Sequence, residues 1–124
     1  MKKGFTLVEL LAVITVLGLL AAISIPIVNN QINSSKDEAY KNQVQTIVNA
    51  AKRWGFDNDN LLNTTEKTTV SINRIQKDGY LTSGDVIDPR TEQKLTGCIE
   101  IAYNNNYKQY EYKYLKNCTT TDVN

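Results

Sequence analysis

The 124-residue sequence contains no histidine. That removes the commonest general base and the commonest transition-metal ligand. Cysteine is almost absent too: Cys98 and Cys118 are the two in the chain, both toward its C-terminal end. If that part is extracellular a disulfide is expected, whereas in a reducing compartment both would be free thiols. Charge of one sign is also missing. The formal net charge is +1, and apart from Lys2, Lys3 and Glu9 the basic and acidic side chains are equal in number. A neutral body from Asn29 onward argues against a large basic surface for nucleic acid. No nucleophile–base constellation, phosphate loop or metal cluster is recognisable, so the expectation is a non-enzyme with no cofactor and no metal. Asp57, Asp59 and Glu66 invite a calcium reading. The EF-hand pattern fails there, because Leu61 takes the third ligand position and Leu62 follows it where Gly is required.

What is present is unevenly placed. Apolar residues concentrate between Phe5 and Val28, and the remainder is rich in Asn, Lys and Thr, which explains a negative mean hydropathy. As a helix rising ~1.5 Å per residue, that run spans ~36 Å, enough to cross a hydrocarbon core of ~30 Å. Lys2 and Lys3 precede the run and no basic cluster follows it directly. The bias puts the N-terminus in the cytoplasm and the rest outside. Ala21-Ala22-Ile23-Ser24 could serve as a signal-peptide cleavage site. A very short basic region, an overlong apolar run and Glu9 within it all count against that reading.

Glu9 is the most informative residue. A carboxylate inside a membrane segment costs several kcal/mol unless paired or neutralised, and such residues are functional by default. The plainer alternative is that Glu9 lies near the interface and reaches water. Cutting the chain after Gly4 would create an amine at Phe5, four residues from Glu9 and on the same helix face. An amine and a carboxylate in apolar surroundings should pair, within one chain or between neighbours.

Lys2-Lys3-Gly4-Phe5-Thr6-Leu7-Val8-Glu9 resembles the class III leader and cleavage site of type IV prepilins and pseudopilins. The resemblance implies that a prepilin peptidase cuts between Gly4 and Phe5 and N-methylates Phe5. It makes Glu9 the assembly residue, whose carboxylate meets the Phe5 amine of an adjacent subunit. It further implies a helical homopolymer built through N-terminal helices, an inner-membrane assembly platform, minor pilins as further partners, and residence in the cell membrane before assembly. Pro26 is in register with a proline common in these helices. Asparagine sequons at Asn33, Asn63 and Asn117 are taken as chance matches, since the leader implies a bacterial type of export.

Pro26 lacks an amide hydrogen and clashes with the preceding turn, and Gly18 weakens a helix interior by ~1 kcal/mol relative to Ala. Regular helix is therefore expected to be lost in the filament somewhere between Gly18 and Pro26, while an isolated subunit can keep a kinked continuous helix. Beyond Pro26, Ile32, Tyr40, Val44, Ile47, Val48, Ala51 and Trp54 recur at three- and four-residue steps, an amphipathic helix with Gly55 as its stop. Residues 56–69 read as a loop. Val70 to Leu81 reads as a short helix capped by Ser71 and ended by Gly79, and residues 82–97 read as a second loop. Cys98–Tyr103 and Lys108–Leu115 alternate about Asn104-Asn105-Asn106, a β-hairpin. Tyr110, Tyr112 and Tyr114 share a face, either as core packing or as a stacking strip for DNA or adhesion.

Pairing Tyr103 with Lys108 sets Cys98 opposite Lys113, with Cys118 roughly 17 Å along an extended strand. A disulfide needs Cα atoms within roughly 7 Å. Either the chain turns back after Leu115, the register differs, or both thiols are free. The expected architecture is α+β: a leader (1–4), an apolar transmembrane or filament-core helix (5–28), an amphipathic helix half (29–55), and a head (56–124) carrying a small antiparallel sheet packed on the helix. The leading expectation for function is the major subunit of a surface type IV pilus. The alternative is a pseudopilin of a DNA-uptake or secretion machine. A membrane-tethered domain that never polymerises would leave Glu9 and the leader unexplained.

Overall fold

The computed structural model describes residues 4–118 and, as backbone, 122–123. It has an α+β fold: helix α1 (Leu7–Asp57), a 3-10 turn (Asp59–Leu61), strand β1 (Thr68–Ser71), helix α2 (Ile72–Lys77), and strands β2 (Cys98–Asn104), β3 (Gln109–Leu115) and β4 (Asp122–Val123). The chain forms two units, Met1–Lys36 and Asp37–Asn124.

In the first unit the backbone is α-helical from Leu7 onward, through Gly18 and Pro26. The hydroxyls in this apolar stretch are satisfied locally. Thr15 donates to the Leu11 carbonyl and Ser24 to the Leu20 carbonyl, each at 2.7 Å, the back-bonding that hydroxyls adopt where no water competes. Ile32, which the periodicity places on the apolar face of the amphipathic half, is 46 % exposed and takes no part in the core. The buried stripe starts later, because only from Tyr40 and Val44 onward do sheet and loop residues cover the helix.

In the second unit Ile47, Ala50, Ala51 and Trp54 of α1 are buried with Val70, Ile72, Ile75, Val86, Leu95, Ile99 and Ile101. The Trp54 indole N–H donates to the Asp78 carboxylate at 2.8 Å, and Arg74 pairs with the same oxygen at 2.8 Å. These bonds hold Asp78 below the usual carboxylate range, Arg74 first and Trp54 second. Residues 82–97 are fixed around buried Asp88, whose carboxylate accepts from the Arg90 amide at 2.8 Å and pairs with its guanidinium at 3.2 Å. The Arg90 guanidinium lies 3.4 Å over the Tyr40 ring, a cation–π contact that ties this loop to the helix. Hydrogen bonding to Arg90 is the main reason the Asp88 carboxyl is held low.

The expected helix end is wrong by two residues. Helix α1 runs past Gly55 to Asp57, and Gly55 is explained by space: a Cβ there would collide with the Tyr112 hydroxyl. The stretch expected to be a loop, 56–69, holds the end of α1, the 3-10 turn and the first residues of β1. Val70 likewise belongs to a strand, so α2 is shorter than expected. Its start is as read, with the Ser71 hydroxyl accepting from the Arg74 amide at 3.1 Å, and Gly79 follows it at φ +87.

The sheet order is β3-β2-β1-β4, with β1–β2 and β2–β3 antiparallel and β1–β4 parallel. The hairpin register differs from the expected one. Tyr103 pairs with Tyr110 and Cys98 with Leu115. Asn104 remains in the strand, its side-chain oxygen accepting from the amides of Asn106 and Tyr107, and Lys108 takes a positive φ of 53 in the turn. A two-residue shift leaves every side chain on its expected face. It also shortens the gap to Cys118, and with the bend at Lys116 and Asn117 the two cysteines form a disulfide with Cα atoms 5.9 Å apart. Tyr110, Tyr112 and Tyr114 pack against the core. The Tyr114 hydroxyl donates to the Thr96 carbonyl, and Tyr103 and Tyr110 meet edge-on at 5.2 Å.

Candidate functional site

Residues Gly4 to Val28 carry the features the sequence marks as functional. Gly4 has open space where a Cβ would project, and Phe5 is 90 % exposed. A peptide bond in such an unpacked segment is open to an enzyme. The large apolar side chains from Leu7 to Val28 are all more than half exposed. The helix is long and apolar enough to cross a membrane. Burying so much apolar surface, at roughly 25 cal/mol per Å², requires lipid or other protein around it.

Glu9 is positioned by a device that the reading of membrane cost passes over. The Thr6 hydroxyl accepts from the Glu9 amide at 3.2 Å, and the Glu9 carboxylate accepts from the Thr6 amide at 3.4 Å. The Leu10 amide completes the first turn on the Thr6 carbonyl at 3.1 Å. This is a capping box, in which two helix-end donors are satisfied reciprocally. Its signal, Thr-x-x-Glu ahead of an apolar run, stands in the sequence at Thr6–Glu9. The box holds the carboxylate at the N-terminal end of α1, where the helix dipole also favours negative charge. The Glu9 carboxylate therefore points back to the Phe5–Thr6 peptide amide rather than out along the helix.

Asp57 accepts from the Tyr80 hydroxyl, and that bond is the main reason the Tyr80 phenol is pushed above its usual range. Among the described residues no group of three or more acidic or cysteine side chains could hold a metal.

Compared with known families, residues 1–25 match the model of the prokaryotic N-terminal methylation motif. The match supports a leader of the type IV pilin or pseudopilin kind. For a pilin-like chain, a structural subunit is the role this motif points to, and an apolar N-terminal helix fits membrane anchoring before assembly. No curated protein and no solved structure matches the chain at a significant level. The pilin-like assignment thus rests on the same short segment whose geometry is described above, and the head adds no relative to it.

Proposed function

We propose that this chain is the repeating subunit of a type IV pilus on the bacterial surface, serving adhesion, motility or aggregation. The observation that carries this reading is the exposed apolar stretch of α1 from Leu7 to Val28, whose single carboxylate, Glu9, stands near its start. A prepilin peptidase cuts between Gly4 and Phe5 and methylates the new Phe5 amine. The subunit waits in the membrane with its N-terminus in the cytoplasm. An assembly platform then brings copies together, and the Phe5 amine of one copy meets the Glu9 carboxylate of another. Away from water that ion pair is favourable only if both partners are present, and removing one leaves an uncompensated charge at a cost of ~3–5 kcal/mol. The presence of Glu9 favours a subunit that adds repeatedly along a shaft over one that only starts a tip.

Glu9→Ala is expected to leave cleavage intact and abolish or strongly slow filament formation. Gly4→Val is expected to block cleavage and leave the precursor in the membrane. Both are read by the size of the membrane-bound chain and by the yield of sheared surface filaments. Wild-type chain found in membranes but never in sheared filaments would refute the pilus reading and favour a pseudopilin.

A further inference from the structure

From Leu10 to Ser35 no side chain carries a charge. Charges resume along α1 with Lys36, Asp37, Glu38 and Lys41, and all four are exposed. Asp37 lies in the field of Arg90 and helps to raise its pKa. Glu38 and Lys41 are different. They lie three residues apart on one helix face, yet among the described residues neither side chain has an ion pair or hydrogen bond within the chain. A carboxylate and an ammonium are left unused by their own subunit.

Copies in a helical filament are related by one screw operation, so neighbouring copies have the same axial offset at every residue. A helix break between Gly18 and Pro26 does not alter this, because every copy carries the same break. The homopolymer reading above sets the offset: Phe5 of one copy lies level with Glu9 of its neighbour, a shift of four residues or ~6 Å. Where α1 runs along the filament axis, the same shift brings Lys41 of the lower copy level with Asp37 of the upper copy. Glu38 of the upper copy is then only ~1.5 Å from level with that lysine. The same shift sets Lys41 of the upper copy level with Gln45 of the lower copy, which is uncharged, so each pair of neighbours has one such contact.

We propose that Lys41 of one copy pairs with Glu38 of the neighbouring copy, forming a second ionic contact that selects the same offset as the Phe5–Glu9 pair. The proposal rests on the homopolymer reading and adds a partner surface to it. The polarity is reversed between the two contacts. At the base the carboxylate belongs to the lower copy, and at Lys41 the ammonium does.

The test uses full-length chains in the filament-forming host, with sheared filament yield measured against the amount of cleaved subunit in the membrane. Lys41→Glu and Glu38→Lys are each expected to cause a several-fold loss of filaments, and the double variant to recover them. Co-expressing the two single variants is also expected to recover them, because alternating copies place opposite charges at every contact. Recovery by the double variant without recovery on co-expression would assign the pair to a single chain and overturn the proposal. So would single variants with wild-type yield. Filaments of wild-type yield from Glu9→Ala would instead remove the homopolymer reading beneath it.

Discussion

Gly55 shows how a single residue can be read correctly as special and for the wrong reason. A glycine after an amphipathic run signals a helix stop, but α1 continues to Asp57 and the missing side chain makes room for Tyr112. The need arises from a strand more than fifty residues later, which no local pattern reveals. Gly55→Ala is expected to cost ~1–3 kcal/mol through overpacking, despite improving helix propensity. Urea unfolding of the detergent-solubilised chain, followed by fluorescence of its one tryptophan, Trp54, measures it; an unchanged or raised midpoint would contradict the collision. Glu9 shows the opposite case. The expectation of a role for it follows from the cost of a carboxylate in an apolar run, and the Thr6 cap is legible too once the first helical turn is considered as hydrogen-bonding geometry.

At the scale of elements, the long periodic segment and the alternating hairpin are readable because each repeats its signal many times. Strand β1 is not, since Thr68–Ser71 is four residues long and its last member also carries the cap of α2. The hairpin register escapes for a related reason. Nothing in Asn104–Lys108 announces that Lys108, rather than an asparagine, ends the turn at positive φ. Without the register, the closeness of Cys98 and Cys118 cannot be deduced. Helix α1 presents the remaining question at this scale. It is continuous through Gly18 and Pro26 in the single chain, while Pro26 leaves the Ala22 carbonyl without its helical donor. We expect filaments to show weaker amide protection across residues 18–26 than in the flanking turns, and detergent-held subunits to show less contrast. Hydrogen exchange read by mass spectrometry distinguishes them, and equal protection across that stretch in filaments would contradict a break.

For the whole molecule, titration behaviour follows from which groups have partners. Asp78 and Asp88 are held below their ordinary value of 3.8, chiefly by hydrogen bonds from Arg74 and Arg90. Their contribution to stability is present above that value and is lost as pH falls through the lower folded-state values. Tyr80, Tyr112 and Tyr114 are raised above 10.0, Tyr80 by its bond to Asp57 and the other two by burial. Their contribution is present below that value and is lost as pH rises through the folded-state values. The urea midpoint of the head is therefore expected to be flat between about pH 5 and 9 and to fall on both sides. A step between pH 6 and 7 would contradict this, since no histidine is present to titrate there. The uncharged stretch from Leu10 to Ser35 has a consequence of its own. Lipid tails and identical helices are nearly equivalent surroundings for such a surface, so in the proposed polymer leaving the bilayer and returning to it differ little in free energy. Glu9 alone must change its company. Growth and retraction then become two directions of one near-reversible exchange, with the membrane as the reservoir of subunits.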